Sequence, residues 1–416
     1  MLQSKLFAKT RREDPKDEVA KNAKLLIRAG FIHKESAGVY AFLPLGLKTL
    51  NKICQIIREE MNALGAQEVQ LTALQAPELW QKTDRWSDDK VDNWFKTELK
   101  SGGELGLGFT HEEPFAAIMS ENVSSYKDLP LAVYQIQTKF RNELRAKSGI
   151  IRGREFLMKD LYSFHTNEKD LDEYHLKVRQ AYENIFQRLG IADRTFFTFA
   201  SGGVFSEFSY EFQTLAEAGE DLIYVDQEQK IAVNKEVYTT EVLAKQNLDK
   251  TKLKECQSIE VGNIFKLGTR FSEALGLDFV TESGERQPVV MGSYGLGPSR
   301  LMGVLAEILS DDKGLIWPLA VAPMALHLIS LDQDEVALRL LTDLESAGIE
   351  ALFDDRAVSA GEKFADADLL GLPYRVVVSA KNLATNQLEI KNRQSGAVEF
   401  IPVLELVAWA EKNLRP

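Results

Sequence analysis

Residues 47–64 place Leu47, Leu50, Ile53, Ile57, Met61 and Leu64 at helical spacing, and Gly65 ends the run. Residues 68–74 then alternate, with Val69, Leu71 and Ala73 on one face, which predicts a strand. A second strand is expected over 131–143. Tyr134, Ile136, Thr138 and Phe140 share one face, and Gln135, Gln137, Lys139, Arg141 and Glu143 the other. A polar strand face with both an arginine and a glutamate points to a lined cleft. The loop 144–151 contains Gly149 and reverses the chain. Arg152, Arg154, Phe156, Met158 and Asp160 share a face of the returning strand, so the two form an antiparallel hairpin with a basic tip. A long helix covers 171–189 and stops at Gly190. Residues 221–258 are polar and weakly patterned, and read as a small insertion. Strand-like segments at 259–268 and 287–294 lead to a glycine-rich turn and an apolar helix over 301–309, with Pro298 in its first turn. A boundary falls at 317–323. Beyond it come strand 325–331, helix 334–347, strand 349–353, helix 360–370, strand 374–380, two weaker strands and a last helix over 402–414. This is a small α/β domain.

Composition narrows the class. With 416 residues, 44% hydrophobic and 27% charged, the chain is a globular protein of two or three domains. No apolar run is long enough to span a membrane, and the N-terminus lacks the apolar core of a signal peptide. Cys54 and Cys256 cannot supply a disulfide framework or a four-ligand zinc site, so a reducing cytoplasm is expected. The net charge of −12 argues against wholesale coating of nucleic acid. Residues 139–159 run the other way, with seven basic residues against two acids.

Arginines hold phosphate oxygens by bidentate, charge-assisted bonds and keep their charge. Arg141, Arg152 and Arg300 therefore suit phosphate groups. Glu143 can accept from an exocyclic amine, and Phe156 can stack a base. The turn Gly295-Leu-Gly-Pro-Ser-Arg300 lets backbone approach a nucleotide closely. Each feature alone is weak; the ordered combination is specific.

Phe140-Arg-Asn-Glu143 with Arg152-Gly-Arg-Glu-Phe156 resembles motif 2 of the class II aminoacyl-tRNA synthetases, and Gly295 to Arg300 resembles motif 3. Thr110-His-Glu112, Tyr40-Ala-Phe-Leu-Pro-Leu-Gly46, Glu260-Val-Gly-Asn-Ile-Phe265 and Asp354-Asp-Arg356 extend the resemblance to the bacterial prolyl-tRNA synthetases over nearly the whole chain. The resemblance implies an α+β catalytic domain, with an antiparallel sheet flanked by helices, followed by a small α/β anticodon-binding domain. It places the catalytic domain at 1–220 and 259–320, a short insertion at 221–258 where a large editing domain would stand, and the anticodon-binding domain at 323–416. It implies ATP with Mg2+, proline and tRNA(Pro) as partners, and a homodimer. Arg141 and Arg300 would be catalytic. Arg141, Glu143, Arg152, Phe156, Gln213 and Arg300 would bind ATP, and Glu260 would ligate Mg2+. Thr110, Glu112, Arg141, Phe164 and His165 would bind proline. Arg145, Lys147, Arg356 and Lys363 would contact tRNA. For His33, His175 and His327 a purely structural role is expected.

Four departures from the family pattern stand out: the missing editing domain, Thr72, Lys147 in place of the second arginine of the motif 2 loop, and Asn263. Without an editing domain the chain is expected to activate alanine as well, because a pocket cannot exclude a smaller molecule. A separate editing protein would then clear the product. Thr72 stands where motif 1 usually has proline, and Asn263 stands where a histidine is common. Two other readings stay open: a paralogue serving another acceptor, and a regulatory protein that binds without catalysis.

Overall fold

The computed structural model describes residues 1–144, 146, 148–202 and 208–414. Two compact units are present. One comprises Met1–Ser36, Tyr40–Ile53 and Met302–Pro416; the other comprises Ala37–Val39 and Cys54–Leu301.

The larger unit is built on one sheet. Its strands are Gln67–Glu68 (β1), Leu131–Phe140 (β2), Glu155–His165 (β3), Thr195–Ser201 (β4), Phe208–Leu215 (β5), Asp221–Asp226 (β6), Ile231–Asn234 (β7), Lys254–Gly268 (β8) and Val290–Leu296 (β9). Among the described residues their order is β5-β4-β7-β6-β8-β9-β3-β2-β1, with β5 also paired to β8. Every pairing is antiparallel except β1 with β2 and β4 with β7. The helix expected at 47–64 is Pro44–Ala63 (α1), the one at 171–189 is Glu168–Arg188 (α3), and the one after the glycine-rich turn is Pro298–Ile308 (α4). Between α1 and α3 lies Glu112–Asn122 (α2). Asn167 caps α3 by accepting from the Asp170 N–H, and Leu171, Val178, Tyr182 and Ile185 bury its apolar stripe.

The expected hairpin is β2–β3, with Lys139 opposite Phe156 and Phe140 opposite Glu155. The strand stops at Phe140, three residues short of the expectation. There the Glu143 N–H turns back onto the Arg141 carbonyl (2.7 Å), so Arg141 and Glu143 sit on a turn. The polar face of β2 is not a cleft lining. Gln135, Gln137 and Lys139 are all buried, because the other side of the sheet is covered too.

One other expectation fails. Residues 68–74 are not one strand: β1 pairs with β2, while Leu74–Gln75 joins a separate small sheet. In between, Gln135 accepts from the Leu71 N–H (3.0 Å) and Gln137 donates to its carbonyl, so side chains replace the ladder. Residues 221–258 hold more regular structure than their weak pattern suggests. β6 and β7 enter the main sheet and bury Ile223, Val225, Ala232 and Val233 completely.

The C-terminal part of the other unit has the strands Leu326–Leu331 (β10), Ala351–Asp354 (β11), Tyr374–Ser379 (β12), Gln387–Asn392 (β13) and Val398–Pro402 (β14). Their order is β11-β10-β12-β13-β14. β10 runs parallel to both neighbours, and the remaining pairs are antiparallel. Asp334–Ser346 (α5) and Ala360–Leu370 (α6) make the crossovers that parallel neighbours require, and Leu406–Leu414 (α7) closes the core over Leu326, Leu340, Val376 and Ile390.

Candidate active site

One pocket gathers Arg141, Glu143, Arg152, Phe156, Glu260 and Arg300, which come from four separate stretches of sequence. Arg141 is half-buried, with its guanidinium 5.2 Å from the Phe156 ring centre and its Nε bonded to the Phe109 carbonyl (3.4 Å). Burial and the like charge of Arg300 lower its pKa; Glu260, Glu143 and Glu112 oppose that. An arginine held among such competing fields is poised for an anionic ligand. Arg300, in the first turn of α4, donates to the Ile151 carbonyl (3.0 Å), the Glu260 carbonyl (2.9 Å) and the Glu260 carboxylate (3.2 Å). Arg152 donates to Glu143 (2.9 Å) and Glu220 (3.0 Å) from a largely solvated position, so both pairs can exchange for a ligand.

Asn263 has a structural reason here. It donates to Glu260 (3.1 Å) and accepts from the Gly295 N–H (3.0 Å), which ties β8 to the glycine-rich turn. A Cβ on Gly295 would come 2.7 Å from that same amide oxygen, so a side chain there would push Asn263 off this bond.

At the inner end, Thr110 donates to Glu112 (2.7 Å), and the Tyr162 hydroxyl donates to the same carboxylate (3.1 Å) while accepting from the His111 N–H (3.2 Å). Arg85 donates to Glu112 (3.2 Å) and to Glu113 (2.9 Å). All are buried. Burial and Glu112 push the Glu113 carboxyl up to about 7, while Arg85 opposes the rise. Below them Lys139 bonds His111 Nδ1 (2.6 Å) and Asp160 (3.0 Å), and His111 Nε2 lies 3.0 Å from the Thr72 carbonyl. Burial and Lys139 hold His111 down to about 4, so it stays neutral.

Arg85, Tyr162 and the Lys139–His111–Asp160 network were not anticipated. Tyr162 was within reach, since it shares the two-residue period of Phe156 and Met158 on β3. Arg85 lies in a loop and carries no pattern. Phe164 and His165 do not wall a common pocket, because successive strand residues face opposite ways. Phe164 is fully buried in the core with Phe115 and Met291. His165 is bonded to Ser163 (2.8 Å) and Asp170 (2.8 Å), as a core histidine is. His175 and His327 are likewise buried, and His33 is exposed.

Gln213 is fully buried beside the pocket and donates to Glu211 (3.0 Å) and Asp221 (2.8 Å), while its carbonyl oxygen has no protein partner. It is cross-strand from Glu260. Burial, then Glu260, push Glu211 up to about 8. Among the described residues no three His, Cys, Asp or Glu side chains are grouped to hold a metal alone. Two carboxylates and an orphaned amide oxygen fit a hard divalent cation that shares its shell with phosphates.

The expected tRNA contacts fare differently. Arg145 and Lys147 lie outside the described residues. Arg356 is bound to Asp354 (2.7 Å) and Asp366 (2.8 Å). Lys363 is buried and donates to the carbonyls of Ser330 (2.8 Å) and Asp354 (3.2 Å). Neither offers a free cation, since both sit where the end of β11 needs its carbonyls and carboxylates satisfied.

Residues 95–309 match the tRNA synthetase class II core domain (G, H, P, S and T), and residues 319–413 match an anticodon binding domain. A proline–tRNA ligase of Rickettsia bellii is 39% identical over 424 residues, covering 96% of each chain. Proline–tRNA ligase 1 of Bacillus cereus is 32% identical over an alignment of 569 residues that takes in all of both chains, so it carries sequence with no counterpart here. Prolyl-tRNA synthetase from Cryptosporidium parvum, solved with L-proline and AMP, has the same fold at a TM-score of 0.77 and 18% identity, covering 97% of this chain and 76% of that one. No helix among the described residues is long and apolar enough to cross a membrane. The chain belongs to the class II aminoacyl-tRNA synthetases, in the proline–tRNA ligase family.

Proposed function

We propose that this chain activates proline with ATP and transfers it to the 3′ end of tRNA(Pro). The observation that carries the reading is the single pocket in which Arg141, Arg300, Glu143 and Phe156 converge, with the field of the buried Glu112 reaching Arg141. The prolyl nitrogen is a cationic secondary amine, and Glu112, held by Thr110, Tyr162 and Arg85, is its counter-charge. Arg141 takes the proline carboxylate and the α-phosphate, lowering the repulsion between two anions that must meet. Arg152 and Arg300 hold the outer phosphates, Phe156 stacks the adenine and Glu143 accepts from its amine. The carboxylate oxygen bonds to the α-phosphorus, the bond to the leaving pyrophosphate breaks, and no protein base is required. A ribose hydroxyl of tRNA then attacks the prolyl carbonyl, and AMP leaves. Glu260 and Glu211, with Gln213, are the groups that would hold Mg2+, which when bound neutralises phosphate charge.

With no cis-editing domain, the same pocket activates alanine, and a separate protein clears the mischarged tRNA. Homodimerisation is supported by an uncovered apolar groove lined by Val69, Leu71, Leu74, Leu79, Ile118 and Met119. The test is ATP–pyrophosphate exchange with each of the twenty amino acids, then tRNA charging. Strong exchange with proline and weaker exchange with alanine are expected. Exchange with neither, by folded protein supplied with Mg2+, would refute the reading.

A further inference from the structure

The C-terminal domain has a charge problem as an RNA-binding module. Residues 325–416 carry nine basic residues against fifteen acids, and the two cations its motifs singled out are already occupied. Something else must meet the phosphates.

The first twelve residues lie on this domain. Leu2 bridges to Phe353 on β11, and the Phe353 N–H donates to the Met1 carbonyl (2.8 Å). Gln3 bonds the buried His327 (2.8 Å), and Ser4 donates its N–H to Asp355 (2.9 Å). Thr10 donates to Asp366 (2.7 Å), the same carboxylate that pairs with Arg356, and Arg12 reaches Glu362 (3.4 Å) on α6. Residues 1–12 hold four basic side chains, Lys5, Lys9, Arg11 and Arg12, and no acid. All four are exposed. Lys9 bonds only the Ser4 carbonyl (3.3 Å), and no carboxylate among the described residues pairs with Lys5, Lys9 or Arg11. Between them Phe7 is 73% exposed, at a groove it shares with Lys9, Arg11, Ile32, His33 and Leu43. An exposed aromatic flanked by unpaired cations, fixed on an otherwise acidic domain, is the arrangement that grips a nucleic-acid backbone and stacks an unpaired base.

We propose that this N-terminal strap is an RNA-docking element: Lys5, Lys9 and Arg11 hold tRNA phosphates, and Phe7 stacks a splayed base. The inference rests on the tRNA-charging reading above. Two variants test it in the full-length protein, the triple Lys5→Ala/Lys9→Ala/Arg11→Ala and the single Phe7→Ala. Proline-dependent exchange without tRNA is measured beside tRNA charging. The triple variant should raise the KM for tRNA at least tenfold, and flatten the log–log dependence of tRNA affinity on salt by about 2 to 3. Phe7→Ala should raise that KM at least fivefold with the salt dependence unchanged. Exchange and melting temperature should match the parent in both. An unchanged KM and salt slope would overturn the proposal. So would a loss of exchange and melting temperature in step with charging, which would make the strap a structural brace. Absence of proline exchange in the parent protein would instead refute the catalytic reading.

Discussion

Arg300 and Arg356 are both arginines held by carboxylates, yet they belong to different kinds of place. Arg300 shares one carboxylate, Glu260, and two backbone carbonyls at the wall of a pocket that also holds Arg141. Arg356 is gripped by two carboxylates, Asp354 and Asp366. In the first region Arg141 has no carboxylate partner among the described residues, so an anion completes it. The second is neutral already, and an anion would have to displace an internal partner. Residue type alone therefore does not assign a role; the balance of partners does.

The largest expected effect sharpens that contrast. Arg141→Ala should lower proline-dependent exchange at least about a thousandfold, roughly 4 kcal/mol of transition-state stabilisation, and leave the melting temperature near that of the parent. Melting that falls with activity would mean that the cleft arginine is structural after all. Arg85→Ala should do both kinds of damage. It strands Glu112 and Glu113 in the interior, which costs about 3–5 kcal/mol in denaturant titration, and one carboxyl takes up a proton, so the KM for proline rises. Unchanged proline affinity would separate Arg85 from the amino-acid site. Arg356→Ala should cost about 1–3 kcal/mol of stability and change the KM for tRNA less than twofold. A large rise in that KM would restore Arg356 to the RNA surface and blur the comparison.

A last effect concerns pH. Burial holds His327 down to about 4 in the folded chain, against an ordinary value of 6.5. Between those values the unfolded chain binds a proton that the folded chain does not. Stability therefore rises with pH across this window, by about 1.4 kcal/mol per pH unit for this one group, and is lost as pH falls from 6.5 toward 4. His327→Gln should reduce the slope of unfolding free energy against pH by about that amount. An identical slope in parent and variant would show that the Gln3–His327 contact opens readily.

Much of the site was legible because its parts are local. Phe140-Arg-Asn-Glu143 and Arg152 to Phe156 are joined by one hairpin, whose register follows from strand alternation. The misread segment 68–74 has a clear cause: it was read from nearby sequence, whereas the side chains that bond Leu71 belong to Gln135 and Gln137, 64 and 66 positions away. Ile223 and Val225 look like scattered apolar positions until β8 and β7 lie on either side.

By itself the sequence determined the hairpin, the long helices, the α/β pattern of the C-terminal domain and a set of arginines that can meet phosphates. Each depends on periodicities of about 2 and 3.6 residues, or on the fixed charge of a guanidinium. Only the tertiary structure decided which of those charges remain available. Arg356 is neutralised by Asp366, from the next helix along the chain, and Glu112 is aimed by Arg85 and Tyr162, 27 and 50 positions away. Coulomb and hydrogen-bond energies depend on distance in space and on the water left between the partners, and neither quantity is written in the order of residues.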